Sequence, residues 1–342
     1  MTYRNTGKIG RRPFLPVLTL LALLSPWTAF AQTPSLPAVT ISGPGSIEEP
    51  LITRLTQTSG SGNTGEIHIL AFNDLHGNLD PGALNIYGRF AGGAAYLAKA
   101  IKNRQARYGN RSVTVFAGDN IGASPLPNSV FFEEPITTVA NVLGVDFASV
   151  GNHEFDKGYK ELLRIQKGGC HQPEGCKGGP YPLPNGRTTM KFPGASFKYL
   201  AANVVYSSSG KPIFPAYGVK TFKNPVSGKS FKIGFIGEVL KTTPNLVTPT
   251  GVDGLSFKDE ADTANAVIRN NQNKNVNAWV LVIHEGGVQS GAPTLNGCAG
   301  ELSGSRIIDI AQRLDPAIKV IVAGHTHNEY RCTVNEIGRA HV

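Results

Sequence analysis

Five short motifs in this 342-residue chain combine carboxylate, imidazole and amide side chains, and each follows a stretch of β-branched or aliphatic residues. The motifs occupy residues 73–77 (Asn-Asp-Leu-His-Gly), 118–120 (Gly-Asp-Asn), 151–154 (Gly-Asn-His-Glu), 284–286 (His-Glu-Gly) and 324–327 (Gly-His-Thr-His). Their oxygen and nitrogen donors are the ligand set of a site that holds two divalent cations. The chain is therefore restricted to folds that can gather side chains from widely separated parts of the sequence.

The residues before the motifs are short, apolar runs rich in Val and Ile, which are typical of strands covered on both faces. The predicted strands are 67–72, 113–117, 147–150, 279–283 and 320–323. Helical periodicity is present at 94–107, 259–270 and 305–314. Alternating strands and helices predict an α/β layered fold, in which ligands bind beyond the carboxyl ends of the strands. Each motif lies at that end of its strand.

Longer runs around the motifs resemble the secreted bacterial 5′-nucleotidases of the calcineurin-like metallophosphoesterase superfamily. The resemblance extends from about Glu66 to Cys332 and keeps the family's motif order. It rests on the five motifs in their longer forms, which include Gly-Asp-Asn-Ile-Gly-Ala-Ser-Pro (118–125), Gly-Asn-His-Glu-Phe-Asp-Lys-Gly (151–158) and Ala-Gly-His-Thr-His-Asn (323–328). It implies a four-layer αββα sandwich of the metallophosphoesterase type with two divalent metal ions.

The resemblance also implies a role for each site residue. Two groups of three ligands would each hold one ion: Asp74, His76 and His327 for the first, and Asn152, His284 and His325 for the second. Asp119 would bridge both ions. His153 would be the catalytic imidazole just outside the metals, oriented by Asp156.

Phosphate-ester hydrolysis explains why such a site needs these residue types. The charge on the transferring phosphoryl group must be neutralised, and a nucleophile must be supplied in line with the leaving group. Two ions about 3.5–4 Å apart do both, since a water between them loses a proton near neutral pH and attacks as hydroxide. His153 would protonate the leaving alkoxide or stabilise charge. The donor types suit Zn, Mn, Co or Fe, so the identity of the metals stays open.

The resemblance favours cleavage of nucleoside 5′-monophosphates to nucleoside and phosphate, so the expected partner is a small-molecule phosphate ester or nucleotide. One alternative is hydrolysis of nucleotide-sugars, cyclic nucleotides or another ester at the same site. Another is a truncated, non-catalytic fragment that only binds metal. The family usually carries a C-terminal domain that clamps the base; that domain is expected to be absent from this chain, and the catalytic domain itself to be truncated.

The first 31 residues are expected to be a signal peptide, because basic residues precede an apolar core at 14–24 and Ala29-Phe30-Ala31 forms a cleavage site. The core is too short to span a membrane, so no stable membrane anchor is expected. Cleavage after Ala31 predicts a periplasmic or secreted protein, exported by the general secretory or the twin-arginine route. Residues 32–64 have the Pro/Gly/Ser-rich composition of a linker, and 65–342 would form the catalytic domain.

Removal of the signal peptide lowers the net charge from +9 to +5, since that segment has four basic and no acidic residues. The remaining basic residues are scattered, which does not indicate a nucleic-acid partner. The four cysteines fit an oxidising compartment and allow three pairings. The expected pairs are Cys170 with Cys176 and Cys298 with Cys332. A zinc ligand set is the alternative, although the sequence has no Cys-x-x-Cys pair.

Overall fold

The computed structural model describes residues 52–58, 64–80, 85–86, 89–90, 92–183, 185–224, 228–291, 297–334 and 337–341. The predicted signal peptide and most of the predicted linker lie outside these residues. Within the described ranges, no helix has the length and apolar character needed to cross a membrane.

Strands and helices follow one another along the described residues. The strands, in chain order, are β1 (Ile52–Thr58), β2 (Thr64–Phe72), β3 (Asn85–Ile86), β4 (Arg89–Phe90), β5 (Ser112–Ala117), β6 (Phe147–Ser149), β7 (Tyr181–Pro182), β8 (Thr188–Thr189), β9 (Lys198–Leu200), β10 (Val204–Tyr206), β11 (Tyr217–Lys223), β12 (Ser230–Val239), β13 (Leu255–Phe257), β14 (Ala278–His284), β15 (Ile318–Val322), β16 (Arg331–Val334) and β17 (Ile337–His341). The helices are α1 (Ala94–Tyr108), α2 (Leu126–Ser129), α3 (Glu134–Leu143), α4 (Tyr159–Lys167), α5 (Glu260–Asn270) and α6 (Arg306–Arg313). All five predicted strands and all three predicted helices are present.

Two mixed sheets form the middle of the fold. The first has the strand order β1-β2-β5-β6-β9, and its strands from β2 to β9 are parallel. The second has the order β11-β12-β14-β15-β17-β16, with β12, β14, β15 and β17 parallel. The strands that precede the five motifs are β2, β5, β6, β14 and β15, so all of them lie in the parallel parts of the sheets.

Alternate side chains of each central strand enter different cores, as the period of two along a strand requires. In β14, Val280 and Val282 pack between the two sheets, whereas Leu281 and Ile283 pack against α5 and α6. The outer face of the first sheet packs in the same way against α1, α3 and α4. The layers are therefore helix, sheet, sheet and helix, which confirms the αββα expectation.

The folded part begins earlier than the predicted boundary at residue 65. Residues 52–58, assigned to the linker, form β1, which pairs antiparallel with β2. The segment contains β-branched Ile and Thr residues that favour a strand once a partner is available. Neighbouring β2 supplies that partner. The Pro/Gly/Ser-rich composition of residues 32–64 as a whole does not reveal this pairing.

Both expected disulfides are present. Cys170 bonds to Cys176 within the Gly/Pro-rich segment after α4. Cys298 bonds to Cys332 and so joins the segment after β14 to β16. Cysteines are therefore not zinc ligands in this chain, since all four are in disulfides.

Candidate metal centre

The five motifs meet at one edge of the two sheets, where the parallel strands end. The loop after β2 brings two of the predicted ligands, the loops after β5 and β6 bring one each, and β14 and the loop after β15 bring the rest. These seven residues are Asp74, His76, Asp119, Asn152, His284, His325 and His327. Because they come from both sheets, the packing of one sheet on the other assembles the site.

The predicted ligands form overlapping groups of suitable size for cations. Ligand atoms of Asp74, His76 and His327 lie within 4.8 Å of one another, and so do those of Asp119, His284 and His325. The first group has the three residues predicted for one ion, and the second has two of the three predicted for the other ion, with Asp119 in the place of Asn152. His76 is the link, because its Nε2 lies 3.8 Å from Asp119 Oδ2.

Asn152, the amide predicted as a ligand of the second ion, follows β6 at the same edge of the sheets. Its side chain is buried, and Oδ1 has no hydrogen-bond partner among the described residues. A buried acceptor without a partner costs free energy unless a ligand satisfies it. The carboxylate, imidazole and amide donors, together with this orphaned oxygen, therefore fit the divalent cations that the fold implies.

Backbone carbonyls orient two of the imidazoles toward the centre. His284 Nδ1 lies 2.7 Å from the carbonyl oxygen of Ala117, and His76 Nδ1 lies 3.0 Å from that of Gly122. A carbonyl only accepts, so each Nδ1 donates, and in the neutral imidazole Nε2 is then the nitrogen that has the lone pair. In both residues Nε2 faces Asp119. This arrangement selects the tautomer that binds a metal through Nε2.

The ligand backbone is strained at several positions. Positive φ angles in the left-handed region occur at five of the seven predicted ligands: Asp74 (50°), His76 (45°), Asp119 (51°), His325 (77°) and His327 (52°). Non-glycine residues rarely adopt this conformation, and each such residue costs on the order of 1–3 kcal/mol. The surrounding fold thus holds the ligands in conformations that an isolated chain would avoid, as functional sites often do.

Glycine next to the ligands permits the close approach of neighbouring loops. A Cβ on Gly151 would lie 2.1 Å from Asp119 Oδ1, and a Cβ on Gly118 would lie 2.5 Å from His284 Nδ1. Any larger residue would displace a predicted ligand at either position.

Glu154 has a structural role that the sequence interpretation missed. Its buried carboxylate accepts hydrogen bonds from the backbone N–H groups of Asp119 (2.8 Å), Asn120 (3.0 Å), Ile121 (3.4 Å) and Gly151. It therefore ties the loop of the proposed bridging carboxylate to the loop that carries Asn152. Its position within the Gly-Asn-His-Glu motif was the only signal in the sequence, since the backbone donors belong mostly to another loop.

The charges of the buried groups depend on one another. Burial disfavours the charged form of Asp119, but His284, His153 and His76 lower its pKa overall. Burial also disfavours charge on His284, yet Asp119 and Asp74 raise its pKa to about 9. Divalent cations must displace the proton that this pair shares, so metal binding is expected to weaken as the pH falls.

His153 and Asp156 form the predicted pair beside the ligands. Asp156 Oδ2 lies 2.8 Å from His153 Nδ1, and this hydrogen bond is the main reason why the pKa of His153 is raised. The backbone N–H of His153 also donates to Asp119 Oδ1 at 2.9 Å. The side chain is about one-third exposed, so it can reach a substrate. A ring nitrogen of His153 also lies within 4.8 Å of donors on His76 and Asp119.

Known proteins with similar sequences identify the family. The family model for calcineurin-like phosphoesterases matches residues 67–329. Over 276 residues the chain is 33% identical to Endonuclease YhcR of Bacillus subtilis (strain 168), covering 79% of this chain and 20% of that protein. The 5′-nucleotidase of Vibrio cholerae is 23% identical over 264 residues, which is 77% of this chain and 40% of the relative. This chain thus spans less than half the length of either relative.

The fold also matches a solved structure. The calcineurin-like phosphoesterase YfkN from Bacillus subtilis superposes with a TM-score of 0.55 at 22% identity, covering 77% of this chain and 72% of the other. At that identity the match establishes the shared fold alone.

Proposed function

This chain belongs to the calcineurin-like phosphoesterase family, and from that premise we propose that it is a dinuclear-metal phosphohydrolase that cleaves nucleoside 5′-monophosphates to nucleoside and phosphate. Metal-dependent hydrolysis of a phosphoester is the activity of the family. Our proposal adds to this family activity the number of metal ions, the role of each residue and the nucleotide substrate.

The observation that supports the proposal is a pair of adjacent ligand groups, one of which contains Asp119 while the other has His76 Nε2 3.8 Å from Asp119 Oδ2. Asp74, His76 and His327 would hold one ion, and Asn152, His284 and His325 the other, with Asp119 between them. Bound ions would neutralise the phosphate charge and lower the pKa of a water molecule. The chain itself contributes by holding the ligands in fixed positions. Backbone carbonyl groups hold the imidazoles of His76 and His284 in place.

His153 would act on the leaving group. With Nδ1 held by Asp156, its Nε2 is free to donate a proton to the alkoxide of the departing nucleoside. Asp156 raises the pKa of His153, so the imidazole keeps its proton at a higher pH than a free histidine would. A positioned acid of this kind contributes roughly 10²–10⁴ in rate.

Two features favour a nucleotide as the substrate. The longer motif forms resemble those of 5′-nucleotidases, and one matched relative is a 5′-nucleotidase. A second candidate is cleavage of a phosphodiester, because the relative at 33% identity is an endonuclease. Hydrolysis of nucleotide-sugars would need the same ligands and a different leaving-group contact.

A substrate panel tests the proposal. The full chain is assayed with AMP, UDP-glucose and bis-p-nitrophenyl phosphate, with Mn²⁺, Zn²⁺ or Co²⁺ added. Release of phosphate from AMP as the fastest reaction would support the nucleotidase. If the diester or the nucleotide-sugar is cleaved faster than AMP, the proposed substrate class changes to that of the faster substrate. If no substrate reacts with any of the three metals, the proposal that the chain is a hydrolase is contradicted.

Export from the cytoplasm is part of the proposal. Both disulfides support it, because such bonds persist in oxidising compartments. Amino-terminal sequencing of the exported protein tests the expected cleavage after Ala31.

A further inference from the structure

A cavity of about 360 Å³ opens directly beside the His153–Asp156 pair. Asp156 forms part of its wall, and the rest comes from residues 157–160 and from residues 248, 250, 251 and 253. We call this cavity the lysine cleft, after Lys157 and Lys160 in its lining. Asp156 also holds His153, so the lysine cleft adjoins the histidine to which the proposed function assigns the leaving group.

The two walls of the lysine cleft have a fixed separation. A Cβ on Gly251 would lie 2.8 Å from the carbonyl oxygen of Phe155 and 3.3 Å from Cα of Gly158. The two backbones, which both line the cavity, therefore pack directly against each other. The cleft is thus part of the folded framework that also positions His153.

The lining of the lysine cleft is suited to an anion. Lys157 and Lys160 are both exposed, and among the described residues neither forms an ion pair. Hydroxyl groups are supplied by Thr248, Thr250 and Tyr159. Two carboxylates also line the cavity: Asp156 is hydrogen-bonded to His153, and Asp253 is exposed. Two ammonium groups and three hydroxyls offer more hydrogen-bond donors than the two oxygens of a carboxylate ligand can use. A phosphate has more acceptor oxygens than a carboxylate, so this lining favours phosphate.

We propose that the lysine cleft binds a second phosphate carried by the leaving group, so that the chain prefers phosphoesters with two phosphate groups over simple monoesters. The proposal rests on the proposed function, because that function places His153 at the leaving oxygen. One phosphate would lie at the metal ligands and the other between Lys157 and Lys160. Nucleoside bisphosphates belong to this class.

Two substrates with the same nucleoside test the proposal. AMP and adenosine 3′,5′-bisphosphate share the 5′-phosphate and differ in the second phosphate. For release of the 5′-phosphate, kcat/KM of the wild type should be higher for the bisphosphate. In the double variant Lys157→Met/Lys160→Met, kcat/KM for the bisphosphate should fall about tenfold, mainly because KM rises. A tenfold loss corresponds to the strength of one charge-assisted hydrogen bond. With AMP and p-nitrophenyl phosphate, kcat/KM should change by less than about twofold.

A matched control removes the same charge elsewhere. Lys198 and Lys319 are exposed lysines near the amino ends of β9 and β15, at the opposite edge of the sheets from the ligands. The variant Lys198→Met/Lys319→Met should keep the wild-type preference for the bisphosphate. Calorimetric titration of the metal-free protein with adenosine 3′,5′-bisphosphate adds a readout without turnover, and Kd should rise about tenfold only in the lysine-cleft variant.

The outcomes separate the two proposals. If the wild type hydrolyses neither AMP nor p-nitrophenyl phosphate, the proposed function fails, and the calorimetric comparison alone decides the lysine cleft. If the wild type is active but shows no preference for the bisphosphate, the lysine-cleft proposal is overturned. An equal loss on AMP and the bisphosphate in the double variant would overturn it too, because the lysines would then serve the reacting phosphate.

Discussion

Glu154→Gln is the substitution for which the structure gives the clearest magnitude. One carboxylate oxygen accepts from the N–H groups of Asp119 and Gly151, and the other accepts from those of Asn120 and Ile121. Glutamine keeps only one acceptor oxygen, since its amide nitrogen only donates. Either orientation of the amide therefore leaves two buried N–H groups facing a donor.

Each buried donor without an acceptor costs about 1–3 kcal/mol, so Glu154→Gln should lower the free energy of unfolding by about 2–6 kcal/mol. Domains of this kind are stable by only about 5–15 kcal/mol, which makes the loss easy to measure. Glu154→Leu removes both acceptors and should cost more than Glu154→Gln. The order of stability is thus expected to be Glu, Gln and then Leu.

Urea unfolding of the metal-free proteins, followed by tryptophan fluorescence, measures this loss. The midpoint should fall in Glu154→Gln with little change in the slope. Glu174→Gln is the matched control, because Glu174 is exposed and contacts Lys177 at the surface. An unfolding free energy for Glu154→Gln within about 0.5 kcal/mol of the wild type would refute the role of Glu154, since changes that small are typical of surface sites.

The remaining predictions concern catalysis, pH and the larger disulfide. His153→Ala should lower kcat by about 10²–10⁴ while elemental analysis finds unchanged metal content; loss of metal would make His153 a ligand. Burial, with Glu260 and Asp259 nearby, raises the pKa of Glu238 well above its usual range. The free energy of unfolding of the wild type should therefore fall as the pH rises above about 4.5, by up to about 1.4 kcal/mol per pH unit, until the pH reaches the pKa of Glu238 in the folded state. Urea unfolding from pH 5 to 9 measures this dependence, and the Glu238→Gln variant should lack the contribution of Glu238 to it. Replacing Cys298 and Cys332 by Ser opens a loop with a sequence separation of 34 and should cost about 4 kcal/mol; an unchanged melting temperature would contradict this.

The ligand-bearing strands were predictable because their signal is local. Buried parallel strands consist of consecutive apolar residues, as in residues 279–283, and the motif follows immediately in the chain. The ends of these strands agree with the structure to within a few residues. The position of each predicted ligand at the sheet edge follows from the same local pattern.

Features that depend on pairing with another part of the chain were harder to predict. β1 pairs with β2, which follows it directly in the sequence, but its own residues do not alternate clearly between apolar and polar. The hydrogen bonds of Glu154 require the loop after β5, which comes from more than thirty positions earlier in the sequence. The strand order of the sheets is likewise a property of tertiary packing. Such features appear only once the chain is folded.

The most direct test of the account is the number of metal ions bound by the wild type and by Asp119→Ala. Asp119 Oδ2 lies 2.8 Å from Nε2 of His284 in one ligand group and 3.8 Å from Nε2 of His76 in the other, which is why Asp119 is the proposed bridge. After loading with Mn²⁺ and dialysis, elemental analysis should find two ions per wild-type chain and at most one per Asp119→Ala chain. Two ions in the Asp119→Ala variant, or only one in the wild type, would contradict a dinuclear centre bridged by Asp119.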